Sequence, residues 1–149
     1  MSDPKRKKNN SSKLILIGED DIDDKEILEE IFLSIDPSIQ LHFINSGQKL
    51  LSFLENADQE QLPCLIILDY NMPALNGSEI LKYLQPMKRL KNIPRIIWST
   101  TNVGSFKSTC MELGASDYFV KPSSLKDLEA LIKRMLSYCE VDNNPVESS

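Results

Sequence analysis

The chain has 149 residues, of which 41% are hydrophobic and 26% are charged, a composition typical of one globular domain. Its net charge is −5, but residues 1–13 carry four lysines and one arginine against one aspartate, which leaves −9 on the rest of the chain. An acidic body argues against a general nucleic-acid binder. The longest apolar runs, of four or five residues, are too short to span a membrane.

The distribution of polar residues predicts three regions along the chain. Residues 1–12 are expected to form a disordered basic arm, residues 13–139 the folded domain, and residues 140–149 a flexible tail. The three cysteines have no CxxC spacing, and their odd number argues against a disulfide framework. We therefore expect free thiols, which favours a reducing cytoplasm as the location.

Short apolar runs alternate with helical stripes of apolar residues along the folded domain. The runs predicted to be strands are Leu14–Ile17, Leu41–Ile44, Cys64–Leu68, Arg95–Trp98 and Tyr118–Val120. A helical stripe follows each of them, Ser46 and Ser124 stand where a side chain can cap the following helix, and Asn76-Gly77 predicts a turn before the third helix. Five βα units predict a doubly wound α/β fold, with a parallel sheet in the order 2-1-3-4-5 and helices on both faces.

Polar residues follow four of the five predicted strands, at the edge where such sheets bind ligands. They are Glu19, Asp20 and Asp21 after strand 1, Asp69 after strand 3, Ser99 and Thr100 at the end of strand 4, and Lys121 after strand 5. Carboxylates that share a pocket repel one another unless a cation lies among them, and their oxygens suit Mg²⁺. A carboxylate beside Mg²⁺ is suited to nucleophilic phosphoryl chemistry, which points to Asp69.

A calcium-binding EF-hand loop is the competing interpretation of the first acidic run. Glu19, Asp21 and Asp23 have the spacing of its first ligands, and Glu30 stands at the twelfth position. Asp24, however, occupies the position where that loop needs glycine, and a strand rather than a helix precedes the run. These two features decide against a calcium loop.

The polar motifs together resemble those of the response-regulator receiver domains. The matching segments are Glu19-Asp20-Asp21, Leu68-Asp69-Tyr70-Asn71-Met72-Pro73 with Gly77, Ser99-Thr100, and Gly114-Ala115-Ser116-Asp117-Tyr118 leading to Lys121-Pro122. The resemblance covers about residues 13–139 and stops after the fifth helix. The chain therefore resembles the stand-alone members, such as the chemotaxis regulator and the small regulators paired with bacterial phytochromes.

This resemblance implies a phosphoacceptor and a magnesium site. Asp69 would accept a phosphoryl group from a histidine kinase, of the phytochrome type or a hybrid kinase, in a Mg²⁺-dependent reaction. The carboxylates of Asp20 and Asp69 and the backbone carbonyl of Asn71 would ligate the ion, while Glu19 would act through water. The chain would catalyse nothing beyond its own phosphorylation and dephosphorylation.

The resemblance also implies a switch and an output. Lys121 would pair with the phosphoryl group, Ser99 would donate a hydrogen bond to it, Tyr118 would be the aromatic switch, and Lys121-Pro122 would be a cis peptide. Signalling would use protein contacts, including a homodimer, through the face formed by helix 4, strand 5 and helix 5, with neither DNA nor membrane as a partner. The residues expected on that face are Phe106, Lys107, Tyr118 and Lys126.

Two departures from the family pattern concern packing: Gly18 stands where an apolar residue is usual, and the bulky Trp98 precedes the switch hydroxyl. Three other functions are alternatives to this one. An aspartate-nucleophile phosphatase needs a second acid at the position of Asn71, and a flavin-binding electron carrier needs a phosphate loop where three acids stand. A receiver-like scaffold that is never phosphorylated remains open. His42, in strand 2, is expected to be a packing or surface residue.

Overall fold

The computed structural model describes residues 13–141. The predicted basic arm, 1–12, and residues 142–149 of the predicted tail lie outside the described residues. The last helix continues through Val141, two residues beyond the expected end of the folded domain. None of the helices between residues 13 and 141 is long and apolar enough to cross a membrane.

The five strands form one parallel sheet in the order β2-β1-β3-β4-β5, as predicted. The strands are β1 (Leu14–Gly18), β2 (Gln40–Ile44), β3 (Leu65–Asp69), β4 (Arg95–Ser99) and β5 (Asp117–Val120). Every residue of β3 and β4 is buried, which explains why residues 65–68 and 96–98 are uninterrupted apolar runs rather than alternating ones. Because all the strands run in one direction, their carboxyl ends lie along a single edge of the sheet.

Within residues 13–141, five α-helices connect and cover the strands. They are α1 (Ile22–Ile35), α2 (Gly47–Asn56), α3 (Gly77–Leu84), α4 (Gly104–Glu112) and α5 (Leu125–Val141). The predicted cap at Ser46 is present, since its side chain accepts a hydrogen bond from the N–H of Lys49. Asn76, expected in a turn before α3, also caps that helix by accepting a hydrogen bond from the N–H of Glu79. Two short 3₁₀ helices, Gln59–Gln61 and Lys88–Leu90, lie in the connections that follow α2 and α3.

The sheet separates two hydrophobic clusters. On one face, Ile17, Ile67 and Trp98 pack with residues of α1 and α5. On the other face, Leu68 and Ile97 pack with residues of α2, α3 and α4. Neighbouring residues of a strand point to opposite faces, so the last residues of each strand are divided between the two sides at the carboxyl edge.

Cys64 and Cys139 form a disulfide bond, so the expectation of three free thiols is wrong. Cys64 directly precedes β3 and Cys139 lies near the end of α5, and their Cα atoms are 5.2 Å apart. An odd number of cysteines does not exclude one disulfide bond, because it says nothing about which cysteines are close after folding. Cys110 is the free, buried cysteine. The cysteine pattern therefore no longer supports a reducing compartment.

Reduction of this disulfide is expected to lower the free energy of unfolding by about 2–4 kcal/mol, because it releases a loop closed across 75 residues. The measurement is denaturant unfolding with and without dithiothreitol. Cys139→Ala should match the reduced protein, whereas the control Cys110→Ala should retain its sensitivity to reductant. An unfolding curve of the parent protein that dithiothreitol leaves unchanged would contradict the bond.

Candidate functional site

Three carboxylates meet at the carboxyl edge of the sheet and form what we call the acidic pocket: Glu19, Asp20 and Asp69. Glu19 and Asp20 directly follow β1, and Asp69 ends the neighbouring strand β3. One oxygen from each side chain lies within 4.8 Å of an oxygen of the other two. Asp20 is exposed, whereas Glu19 and Asp69 are buried. An open cluster of hard oxygen donors fits a divalent cation such as Mg²⁺.

The Glu19 carboxylate is held at both of its oxygens. Oε2 accepts a hydrogen bond of 3.1 Å from the backbone N–H of Asp21, and Oε1 accepts one of 3.1 Å from the indole Nε1–H of Trp98. Burial of the side chain, together with the adjacent Asp69, raises the pKa of Glu19 from 4.5 to about 8. Without a cation, the pocket therefore favours the neutral form of this carboxyl.

Asp21 belongs to the helix rather than to the pocket. Its side chain accepts a hydrogen bond of 3.0 Å from the N–H of Asp24 and so caps the N-terminus of α1. Glu19, Asp20 and Asp21, the three consecutive acids after β1, therefore have different roles. Two of them contribute to the acidic pocket, and the third fixes where the helix begins.

The Asp69 carboxylate has a different partner at each oxygen. Oδ1 accepts a hydrogen bond of 3.1 Å from the backbone N–H of Asn71, and Oδ2 lies 3.2 Å from the ammonium Nζ of Lys121. The side chain remains 7% exposed, so one edge of it is open to solvent. A carboxylate held in this way presents an oxygen to an incoming group while a cation stands beside it.

Lys121, which follows β5, contacts three carboxylates. Its Nζ lies 2.9 Å from Asp24, 3.2 Å from Asp69 and 3.5 Å from Glu19. Burial lowers the pKa of the ammonium, but the hydrogen bond to Asp24 and the charges of the three carboxylates outweigh burial and raise it. The contact between Asp24 and Lys121 is a site feature that the sequence did not indicate.

Ser99 and Tyr118 are linked through Thr101. The Ser99 hydroxyl, which is fully buried, accepts a hydrogen bond of 3.1 Å from the N–H of Thr101, and the Tyr118 hydroxyl donates one of 3.0 Å to the carbonyl of Thr101. Tyr118, the expected aromatic switch, is buried in this structure, with 5% of its surface exposed. The Thr101 carbonyl supplies the partner that the hydroxyl needs inside.

The loop after β3 is closed by two short-range hydrogen bonds. The N–H of Gly77 donates to the carbonyl of Tyr70 at 2.8 Å, and the N–H of Leu75 donates to the carbonyl of Pro73 at 2.8 Å. Between the last two, Ala74 has a φ of 71°, an unfavourable value for a residue with a Cβ. This tight turn keeps the segment that follows Asp69 close to the end of β3.

Gly18 is explained by the same loop. A Cβ at Gly18 would lie 2.8 Å from the end of the Met72 side chain and 3.0 Å from a methyl group of Leu50. Met72 is buried, so it occupies the space that an apolar side chain at position 18 would need.

The Lys121–Pro122 peptide bond is trans, because the peptide bonds of residues 13–141 include no cis form. The expected cis bond is therefore wrong. Trans is the more stable form of an X–Pro bond, and the four residues between β5 and α5 make the connection with it. His42 lies in β2, where it is exposed and its ring edge contacts Phe53 with 4.8 Å between centroids, as expected of a packing or surface residue.

Comparisons with known proteins agree with this geometry. The family model "Response regulator receiver domain" matches residues 15–133. The two-component response regulator ORR4 of Oryza sativa subsp. indica is 32% identical over 138 residues, which cover 82% of this chain but only 59% of that regulator. The chain thus spans less than two thirds of the length of this relative.

Two solved structures are similar over most of their length. The Mn²⁺-bound form of response regulator Rcp1 is 27% identical with a TM-score of 0.74, covering 84% of this chain and 92% of that one. Response regulator RPA3017, in red light signaling of R. palustris, is 26% identical with a TM-score of 0.74, covering 82% of this chain and 90% of that one.

Proposed function

The chain belongs to the family of response regulator receiver domains, and from this premise we propose that it accepts a phosphoryl group on Asp69 from a phosphohistidine of a sensor kinase. The observation that carries the proposal is the environment of the Asp69 carboxylate. It lies in the acidic pocket with Lys121 at 3.2 Å and remains partly open to solvent. Family membership makes a two-component signalling role the general function.

The chemistry requires one bond to form and one to break. An oxygen of Asp69 attacks phosphorus, the P–N bond of the phosphohistidine breaks, and the imidazole nitrogen recovers a proton from solvent. The ammonium of Lys121 neutralises charge on the phosphoryl oxygens, and the Ser99 hydroxyl can donate a hydrogen bond to one of them. The product is an acyl phosphate, which water later hydrolyses.

We propose that the acidic pocket holds Mg²⁺ through Asp20, Asp69 and the backbone carbonyl of Asn71, with Glu19 acting through water. The exposure of Asp20 and the engagement of both Glu19 oxygens by other donors support this division. Rcp1 has been crystallised with Mn²⁺, a cation that also prefers oxygen ligands. When bound, Mg²⁺ would offset the negative charge of the phosphoryl oxygens.

Asp20→Asn is expected to weaken Mg²⁺ binding more than Glu19→Gln does, by about tenfold or more, because only Asp20 is proposed to contact the ion directly. The measurement is calorimetric titration of each variant with MgCl₂. Asp23→Asn, which changes an exposed acid of α1, serves as the control and should bind like the parent protein. Equal losses from Asp20→Asn and Glu19→Gln would reverse the ranking of the two acids.

The function is tested by incubating the protein with radiolabelled acetyl phosphate, with and without Mg²⁺. We expect stoichiometric, hydroxylamine-sensitive labelling that chelation with EDTA prevents. A protein that binds Mg²⁺ yet takes up no label from acetyl phosphate or from a phosphorylated kinase would instead be a receiver-like scaffold. Label that survives hydroxylamine would exclude an acyl phosphate.

The proposed switch runs from Ser99 to Tyr118 through Thr101. The Ser99 hydroxyl accepts a hydrogen bond from the N–H of Thr101, and a phosphoryl group on Asp69 would offer its proton a strong, charge-assisted acceptor. When that hydroxyl turns toward it, the N–H of Thr101 loses its acceptor, and the carbonyl of the same residue holds the Tyr118 hydroxyl. The segment between β4 and α4 is therefore the part of the chain expected to rearrange.

Beryllofluoride, a phosphoryl mimic, is expected to change amide exchange several-fold within residues 100–126, most strongly at Thr101, because that N–H changes its partner. Exchange is measured by mass spectrometry with and without the mimic. In Ser99→Ala the mimic should bind but leave Thr101 unchanged. A mimic that binds the parent protein without altering exchange in residues 100–126 would refute switching through this segment.

We propose that the output surface is the face of α4, β5 and α5, used either by a partner protein or by a second copy of the chain. Phe106, Val120 and Leu125 are 37–66% exposed, and Lys107 and Lys126 are also exposed. Because Tyr118 is buried, it would influence this face from beneath rather than touch the partner. The acidic charge of the chain beyond residue 13 supports a protein partner over DNA.

We propose that the phosphodonor is a kinase of the phytochrome type or a hybrid kinase, and that the protein works in the cytoplasm. The first point is supported by the similarity to RPA3017, which takes part in red light signaling. The second follows from the proposed chemistry, since histidine kinases need ATP. Phosphotransfer profiling against the histidine kinases of the source organism tests the first point.

A further inference from the structure

Trp98 forms one wall of the acidic pocket, although it has no role in the chemistry proposed above. It is the penultimate residue of β4 and pairs in register with Asp69 of β3. Paired residues in neighbouring strands point to the same face of the sheet, so the indole lies on the side of the Asp69 carboxylate. The residue is only 2% exposed, and its indole N–H therefore needs a partner inside the protein.

That partner is Glu19. The indole Nε1–H donates to Oε1 of Glu19 at 3.1 Å, a fully buried contact between residues 79 positions apart. An indole nitrogen only donates hydrogen bonds, so it can neither bind a cation nor accept a proton. The contact therefore fixes the direction of the Glu19 carboxylate, and the indole itself binds no cation.

The face of the same ring contacts Lys121. The ammonium Nζ lies 4.5 Å from the ring centroid, a cation–π distance. The ammonium is thus located by the ring as well as by its three carboxylate partners. The buried side chain of Trp98 therefore contacts both the carboxyl of Glu19, beside the proposed metal site, and the ammonium of Lys121, beside the proposed phosphoryl site.

We propose that Trp98 is a positioning residue that holds Glu19 and Lys121 in place for Mg²⁺ binding and phosphoryl transfer, through two separable contacts. The indole N–H orients Glu19, and the ring face locates Lys121. The longer glutamate at position 19 and the tryptophan at position 98 act as a pair, since an aspartate would end one methylene short of the indole. This inference rests on the proposed function.

Two substitutions separate the contacts. Trp98→Phe removes the N–H and keeps an aromatic face, whereas Trp98→Leu removes both. Groups that orient a metal site from outside typically change its affinity by 10–100-fold, so both variants should bind Mg²⁺ about tenfold more weakly. The rate of labelling by acetyl phosphate at saturating Mg²⁺ should fall further only in Trp98→Leu, in which Lys121 loses its ring.

The matched control is Phe119→Leu. Phe119 is the register partner of Trp98 on β5, is equally buried, and belongs to the same hydrophobic cluster. Its replacement should lower the melting temperature but leave Mg²⁺ affinity unchanged. If Phe119→Leu weakens Mg²⁺ binding as much as Trp98→Phe does, the effect comes from general packing and the proposal is wrong.

A spectroscopic measurement detects the pair without any metal or phosphate. Trp98 is the single tryptophan, so the protein has one indole N–H resonance. Glu19→Asp should shift this resonance upfield and accelerate its exchange with solvent, and Trp98→Phe added to Glu19→Asp should weaken Mg²⁺ binding no further. An indole resonance that Glu19→Asp leaves unmoved would overturn the pairing, even if Trp98→Phe failed to fold.

The failure of this inference can be distinguished from the failure of the proposed function. A parent protein that binds no Mg²⁺ and takes up no label would contradict the proposed function. A parent protein that does both, beside a Trp98→Phe variant of equal Mg²⁺ affinity, would contradict only the positioning role.

Discussion

Asp69→Asn is expected to reduce phosphate incorporation from acetyl phosphate to background. The amide has no anionic oxygen to attack phosphorus, so the acyl phosphate cannot form. The substitution keeps the size of the side chain, and it removes a negative charge next to Glu19, so the metal-free protein should be at least as stable as the parent. Labelling is quantified by autoradiography, and stability is measured by thermal unfolding.

Asp23→Asn is the matched control for this experiment, because it also converts an acid near the pocket into an amide. It should be labelled to the same extent as the parent protein. Stoichiometric label retained in Asp69→Asn, on any other residue, would overturn the assignment of the nucleophile. Peptide mapping after borohydride reduction would then identify the true acceptor.

Lys121→Ala is expected to slow labelling by about 100-fold, the scale found when one group that stabilises developing negative charge is removed. Mg²⁺ binding should be retained or become tighter, since a competing positive charge has left the acidic pocket. The metal-free variant should melt at a lower temperature, because Glu19, Asp24 and Asp69 lose their shared cation, and added Mg²⁺ should recover part of that loss. Calorimetry and thermal unfolding with and without MgCl₂ separate these effects.

Lys121→Arg adds a test of geometry. The ammonium is compact and contacts three carboxylates and the indole ring within a small space, whereas a guanidinium is planar and larger. We expect Lys121→Arg to remain folded but to be labelled nearly as slowly as Lys121→Ala. A fully competent Lys121→Arg protein would show that charge alone is sufficient and that close contact is not required.

The sheet and the location of the site were predictable because they follow from pattern and topology. The apolar run before Asp69 is long enough for a strand and has no polar face, which indicates a position inside the sheet. Once the strands are parallel, residues that follow them lie at one edge, so Glu19, Asp20 and Lys121 had to be near Asp69. The location of the site therefore follows from the direction of the strands alone, without knowledge of side-chain contacts.

The contacts made by individual side chains were less predictable. Asp24 reaches Lys121 across 97 residues of sequence, and a helical acid has the same pattern whether it contacts solvent or a lysine. Cys64 and Cys139 become neighbours through the packing of α5, which a cysteine count does not describe. Tyr118 can be buried because the backbone carbonyl of Thr101 accepts a hydrogen bond from its hydroxyl. The position of a backbone acceptor cannot be predicted from residue types alone.

The alternation of side chains along β4 has a consequence for how the protein can vary. Trp98 packs on the α1 and α5 side of the sheet, whereas the following residue, Ser99, ends the strand on the other side with Tyr118. One peptide bond therefore links a residue that contacts the acidic pocket to a residue on the opposite face of the sheet. Apart from Ser99, whose hydroxyl is proposed to contact the phosphoryl group, residues on the Tyr118 side can be substituted without disturbing the contacts of Trp98, whereas deleting one residue of β4 would exchange the two faces and disrupt both sides at once.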